Sequence, residues 1–227
     1  MKAIYPPKPP FAFRVGVVGH RPDRLPEDTS GLSTTIGEVL GMIKAEAENF
    51  HSEHSKLFTE DPPFFLAISP LAEGTDRIFF KMAHGLDYSL CCPMPFSKEE
   101  YEKDFIDPKD LHNVSLQEFW DCLSDAGSRP GFSVYELDGD RSNNGEAYGN
   151  CGQVVLNQSD ILLVVWDGQT LGKKGGTEET FSRSLNMGIP VVWNLAGGYQ
   201  RDEQGTIEPV LALHRQTMDI CAQIYGA

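Results

Sequence analysis

The sequence predicts an α/β fold, a doubly wound, mainly parallel, Rossmann-like sheet. Three observations carry that prediction. Five near-continuous apolar runs recur along the chain, segments of helical periodicity separate them, and each run stops at a cluster rich in Gly, His, Asp, Arg, Ser or Pro. Val15–Val18 ends in Gly19-His20-Arg21, and Phe64–Ile68 in Ser69-Pro70-Leu71-Ala72-Glu73-Gly74-Thr75-Asp76-Arg77. Leu90–Cys92 ends in Pro93-Met94-Pro95-Phe96, Ile161–Trp166 in Asp167-Gly168, and Ile189–Trp193 in Asn194 followed by Gly197-Gly198. Uninterrupted apolar runs suit parallel strands covered on both faces. Strand–helix alternation implies a parallel sheet with right-handed crossovers. In such a sheet the loops after the strands gather at one edge, where ligands bind. The chain therefore collects its unusual residues at one site, suited to a phosphorylated ligand.

In chain order, an arm with Pro6, Pro7, Pro9 and Pro10 precedes strand one at about Phe13–Val18. A helix from about Ser33 to Phe50 carries Ile36, Val39, Leu40, Ile43 and Ala47 at helical spacing. Strand two is Phe64–Ile68, followed by a helix from Ala72 to His84 with Ile78, Phe79, Met82 and Ala83 on its apolar side. Strand three is about Ser89–Cys92, with two shorter helices, Lys98–Asp104 and Ser115–Ala126, after it. Strand four is about Phe132–Leu137, and a Gly/Asp/Asn-rich loop leads to a helix near Glu146–Asn157. Strand five is Ile161–Trp166, Thr177 opens the next helix, and strand six is Ile189–Trp193. A last amphipathic helix, Ile207–Ile224, closes a single domain spanning residues 1–227.

Charge and cysteine usage narrow the function classes. The formal net charge is -14, from 19 Lys+Arg against 33 Asp+Glu, which repels nucleic acid and anionic membrane at long range. On that ground, and for want of a basic, aromatic-rich stripe, nucleic acid is argued against as a partner. The five cysteines lack CxxC spacing, so buried reduced thiols are expected rather than disulfides or a zinc site. No metal or cofactor is expected. There is no secretory leader pattern and no bilayer-length apolar stretch, so a cytoplasmic protein with no membrane partner is expected.

Each junction has a functional and a structural reading. Gly19 lets a backbone approach an anion, His20 either touches the ligand or orients the loop, and Arg21 offers a planar fork for phosphate. The segment is neither GxGxxG nor Walker A. Ser69 and the N–H groups at the start of helix two are candidates for phosphate. A carboxylate, Glu73 or Asp76, is a candidate for ribose hydroxyls, and Gly74 and Arg77 complete the set. Arg77 alternatively pairs with a neighbouring acid, and the two carboxylates alternatively serve as helix-start charges. Asp167 and Gly168 follow strand five. Gly175 and Gly176 before Thr177 form a nest of N–H donors at a helix N-terminus. Glu178 and Glu179 sit in its first turn, Lys173 and Lys174 flank it, and Tyr148 either stacks on a base or belongs to the core. Asp138, Asp140 and Arg141 read as turn formers.

Taken together these motifs resemble the SLOG superfamily of Rossmann-like nucleotide-ligand proteins, which includes the LOG phosphoribohydrolases and the DNA-processing protein A family. The resemblance runs from about Arg14 to Asn194. Gly16-Val17-Val18-Gly19-His20-Arg21 resembles a first-strand GxxGHR motif, and Ser69 through Arg77 resembles S-x-LAEGxDR. Pro95-Phe96, Tyr101 and Asp104-Phe105 resemble a PF…Y…DF element. Asp160 through Gly168 with Gly175-Gly176-Thr177 resembles D-x-L-x-x-x-WDG…GGT. The resemblance implies a SLOG-type fold and a nucleotide or nucleotide-derived ligand, sensed in the defence-associated branch on behalf of an effector. The LOG enzymes instead hydrolyse an N-glycosidic bond with an arginine and the glutamate of GGxGTxxE. Glu179 falls at the GTxE position here, so it is the catalytic candidate if the chain is a hydrolase, although the full GGxGT spacing and the arginine have no counterpart. A nucleic-acid-binding scaffold is the third reading. The family also implies a homodimer, with the last helix or helix two in the contact.

Overall fold

A computed structural model describes residues 7–169 and 172–194. The expected helix at 207–224, the Gly197-Gly198 junction and the first six residues of the proline arm lie outside the described residues. Among the described residues six strands form one sheet in the order β4-β3-β2-β1-β5-β6, and every neighbouring pair is parallel. The strands are β1 (Ala12–Gly19), β2 (Phe64–Ile68), β3 (Ser89–Met94), β4 (Ser133–Glu136), β5 (Ile161–Val165) and β6 (Val191–Asn194). The helices are α1 (Ser30–Glu53), α2 (Thr75–Gly85), α3 (Lys98–Glu102), α4 (Val114–Gly127), α5 (Asn144–Gln158) and α6 (Thr177–Met187). Short 3₁₀ turns at Pro22–Arg24, Lys103–Phe105 and Arg141–Asn143 join them. The chain builds outward from β1 to β4, then crosses back to place β5 on the other side of β1. The strand order therefore reverses between β1 and β5, the crevice where open α/β sheets bind ligands.

Alternation along each strand separates two cores. Phe13, Val15 and Val17 of β1, Phe65 and Ala67 of β2 and Leu163 and Val165 of β5 pack under Ile36, Val39, Leu40 and Ile43 of α1 and Phe79 and Ala83 of α2. Ile68, Cys91, Leu162 and Val164 face the other way, against Val155 and Leu156 of α5 and Phe181 of α6. A third cluster extends the first face toward β4, where Leu90, Cys92 and Met94 meet Tyr101, Leu116, Phe119 and Cys122. Adjacent Cys91 and Cys92 thus point to opposite faces, and the four described cysteines are buried and free.

Several boundaries differ from the sequence expectation for identifiable reasons. The second helix starts at Thr75 rather than Ala72, because Gly74 has φ +84 and cannot belong to a right-handed helix. β3 continues through Pro93 to Met94. Pairing with β2 ends at Cys91, so the missing Pro93 N–H falls where only β4 lies alongside. α1 begins three residues early, at Ser30, whose N–H donates to Asp28 Oδ1 at 2.9 Å. Helix two is also not free to form a dimer contact with its apolar face. Phe79 and Ala83 are spent against the α1 side and Phe80 against the α4 side.

Gly74 tests this account. A Cβ there would lie 2.7 Å from the His20 carbonyl oxygen, at a φ that L side chains rarely adopt. Gly74→Ala is expected to destabilise the domain by roughly 2 kcal/mol or more, read from the midpoint of urea unfolding. A midpoint equal to that of the unaltered chain would mean that the α2 start does not depend on this backbone geometry.

Candidate functional site

At the C-terminal edge of the sheet, β1 runs into Gly19-His20-Arg21 beside the end of β5. A Cβ on Gly19 would lie 2.6 Å from that of Thr75, so the glycine is required by the close approach of α2. The His20 carbonyl accepts from both the N–H and the hydroxyl of Thr75, at 3.1 and 3.0 Å. The His20 N–H donates to the Val165 carbonyl at 3.1 Å. Its buried ring accepts the Asp167 N–H at Nε2, 3.1 Å away. Burial lowers the imidazole pKa more than neighbouring Asp167 raises it, which fits a neutral ring with an accepting nitrogen. Of its two sequence readings, loop orientation is the one this geometry provides.

Here a cavity of about 320 Å³ opens, within the range of small-molecule sites. Of the predicted residues, Gly19, His20, Arg21, Asp76, Gly175, Gly176, Thr177 and Glu178 line it, as do Tyr148, Lys173 and Lys174. Its cations are Arg21, Arg24, Lys173 and Lys174, against Asp23, Asp76 and Glu178. This cationic lining sits in a chain of net charge -14.

Ser69, Glu73, Gly74, Arg77, Asp167, Gly168 and Glu179 do not line the cavity, and each has a local task. Buried Ser69 accepts the Leu71 N–H at 3.1 Å and donates to the Asp76 carbonyl at 3.3 Å. Glu73 precedes α2 and accepts from Arg21 at 3.3 Å and from the Ser115 hydroxyl. Gly74 supplies the backbone turn described above. Arg77, 2 % exposed, donates to the Leu71 and Ser115 carbonyls and to Glu118, and lies over the Phe105 ring. Asp167 grips Arg24 at 2.7 and 2.5 Å. Burial pushes its carboxyl up, but the Gln169 N–H, Arg24 and His20 outweigh this and hold it at about 2. Gly168 turns the chain at φ +79 below Trp193.

The loop before α6 is tighter than an open nest. The Gly175 N–H already donates to Glu179 Oε2 at 2.6 Å, and Arg183 holds the other oxygen. That N–H, opposed by burial and aided by Arg183, keeps Glu179 below the usual carboxylate range. Glu178 accepts from the Gly172 N–H at 3.1 Å, and the Thr177 hydroxyl donates to the Gly19 carbonyl at 3.0 Å. Gly176 caps α6 without a side-chain bond. The loop can sit this close because Gly175, at φ +72, would otherwise drive a Cβ to 2.5 Å from the Gly145 carbonyl.

Sequence reasoning missed Tyr101, Cys151, Gly152 and Val155 as lining residues. One signal for α5 was present, the spacing of Gly145, Gly149 and Gly152, which marks a helix face that another backbone approaches. Arg141 also does more than form a turn. It bonds Glu100 and Asp104 and lies 4.1 Å from the Phe96 ring centroid. The Tyr148 hydroxyl donates to Asp104 at 2.6 Å.

No family model and no curated protein matches the chain. Among solved structures, DNA processing protein A from Streptococcus pneumoniae is similar at 11% identity and a TM-score of 0.43, over 90% of this chain and 56% of that one. The chain thus spans little more than half of that protein's length. DNA processing protein A from Helicobacter pylori is similar at 15% identity and a TM-score of 0.44, over 93% of this chain and 80% of that one. The latter structure is described for its single-stranded DNA binding mode. This finding corrects the exclusion of nucleic acid drawn above from the acidic charge, since net charge averages over a surface while a strand meets only a local one. Among the described residues no helix is long and apolar enough to cross a membrane.

Asp76 gives the site a pH signature. It is 6 % exposed, and burial raises its pKa to about 7 against the opposing Ala72 N–H bond, Arg21 and Arg77. Tyr101, Cys92 and Cys151 are the other titratable groups that feel its charge. Between 3.8 and about 7 the folded state holds a proton that the unfolded state has lost, so this group's contribution to stability falls as pH rises through that window. Asp76→Asn is expected to gain on the unaltered chain by up to ~1.4 kcal/mol per pH unit from pH 5 to 7, levelling off above. Urea unfolding across that range checks it, and a pH-independent difference would contradict it.

Proposed function

We propose that the cavity binds a nucleotide unit, with its phosphate at the N-terminus of α6. The observation that carries this reading is the convergence of Lys173, Lys174, Arg21 and the Gly175-Gly176-Thr177 opening of an 11-residue helix on one cavity, at the β1/β5 switch point. Helix N-termini and cationic forks favour phosphate, and this crevice is where doubly wound sheets hold nucleotides. The unit is supplied either as a free nucleotide or by a single nucleic-acid strand. The strand is included because of the activity described for the Helicobacter pylori protein. Thermal shift and calorimetry with nucleoside 5′-monophosphates and with a short oligodeoxythymidine distinguish the two. A strand engaging Z phosphates should lose affinity with a log–log salt slope of about -0.7Z. Arg21 is shared with Glu73 at 3.3 Å and Asp104 at 3.7 Å, so it must exchange those partners for the ligand. Arg21→Ala is accordingly expected to cost about 1.5 kcal/mol of binding, the lower end for a bond to a charged group. Failure of every nucleotide and of the oligonucleotide to bind would overturn the reading.

Within this proposal the chain senses its ligand rather than cleaving it, and an effector protein or a second copy would read the bound state. Support comes from Glu179, which is committed to Gly175 and Arg183 and does not line the cavity. Chromatography of nucleoside monophosphates incubated with the protein is expected to show no free base. Release of base that Glu179→Gln abolishes would instead restore the hydrolase reading.

A further inference from the structure

The cavity has a second polar end, lined from α2 and α3 rather than from α6. Tyr101 is 1 % exposed, its ring is held edge-on by Phe105 and Phe119 at 4.9 and 5.8 Å, and it lines the cavity. Its hydroxyl has no hydrogen-bond partner among the described residues. With no such partner, the hydroxyl of this otherwise buried ring is left to a group entering the cavity that it lines. Asp76 lines the same end, 6 % exposed, with one carboxyl oxygen accepting the Ala72 N–H at 3.3 Å.

Around these two groups the walls are Pro70, Ala72, Pro95 and Cys151, and beside them lies the Arg21 guanidinium, held by Glu73 and Asp104. The Cys151 thiol is turned to the Pro93 carbonyl, 3.4 Å away. A phosphate here would have to draw Arg21 from Glu73 and Asp104 while setting two negative charges beside a buried carboxyl. A sugar would bring hydroxyls on all sides, more than the few polar groups among these walls can satisfy. A planar heterocycle fits, because its faces are apolar and its hydrogen-bonding atoms lie along one edge. We propose that Asp76 and Tyr101 form the specificity subsite for the ligand, reading the donor–acceptor edge of a nucleobase whose phosphate lies at α6. Tyr101 can donate or accept, and Asp76 accepts when ionised and donates when protonated, so together they discriminate among bases rather than merely admit them.

This inference rests on the proposed nucleotide binding, and one calorimetric series separates the two. Wild type, Tyr101→Phe and Asp76→Asn are titrated with AMP, GMP, CMP and UMP and with ribose 5-phosphate, which lacks a base. Melting temperatures confirm that each variant is folded. Wild type is expected to rank the four nucleotides unequally and to bind ribose 5-phosphate more weakly. Tyr101→Phe should weaken the preferred nucleotide roughly 3- to 10-fold, the worth of one hydrogen bond, and leave ribose 5-phosphate unchanged. Asp76→Asn should change the ranking, because an amide presents a different donor–acceptor pattern. Nucleotides that bind wild type and both variants with the same ranking, or ribose 5-phosphate weakened as much as they are, would overturn the subsite and leave nucleotide binding standing. Absence of binding by all five probes to wild type would overturn both.

Discussion

Everything at the sheet edge depends on how Gly19 and His20 are pinned. In two residues the backbone contacts α2 through Thr75, β5 through Val165 and α6 through Thr177, and the His20 ring accepts the Asp167 N–H just past β5. These bonds lie in the crevice where the sheet reverses its order, so they fix the relative positions of helices on opposite faces of the sheet. Both glycines in the contact are there for lack of a side chain. Gly19 yields to the Thr75 side chain and Gly74 to the His20 carbonyl. The result is a rigid seam, and the cavity is the space that the seam leaves open between α2, α5 and α6.

Burial then sets the charge states along that seam. His20 accepts through Nε2 and is neutral above its lowered pKa, so acid that protonates it removes the acceptor for the Asp167 N–H. Burial holds its pKa below the ordinary 6.5, so the stability it supports is present above 6.5 and declines as pH falls from there through the lowered value. Asp76 works in the opposite direction, being costly once ionised above about 7. Both buried groups are uncharged together only between the lowered pKa of His20 and about 7. The cations face outward by contrast. Arg21 and Arg24 are held by Glu73, Asp104 and Asp167, which keeps them ordered at the mouth. An anion entering exchanges one set of partners for another instead of ordering free side chains.

The architecture was legible because strand periodicity is a local property of the chain. Each of the six strands lay within two or three residues of its expected place, and Gly19, Asp76 and Gly175 were found by their position after strand ends. What the sequence did not reveal were the contacts between such segments. Ser69 and Arg77 read as ligand residues because both are polar and follow β2. Their partners, Leu71 and Ser115, are set by how the loop folds back and how α4 packs on α2. Tyr101 was hidden for the same reason. It sits in a short polar helix, and only the packing against Phe105 and Phe119 sets it on the cavity wall. The acidic composition misled in another way, since a chain average cannot register four cations drawn to one cavity.

The two ends of the cavity are built differently, and the difference follows from glycine. At α6, Gly145, Gly149 and Gly152 let α5 come so close that a Cβ on Gly152 would lie 2.7 Å from the Thr180 hydroxyl, and one on Gly175 would strike the α5 backbone. Backbone packed on backbone leaves that end no room to adjust, and Glu179 clamps it further through the Gly175 N–H. A rigid rim with a fixed set of donors suits a group with the same shape in every ligand, as a phosphate has. At the Tyr101 end the walls are side chains, braced by the Asp104, Arg141 and Tyr148 network, and there substitution changes chemistry without moving the backbone. A fold made this way can keep one anchor while its selectivity is altered residue by residue.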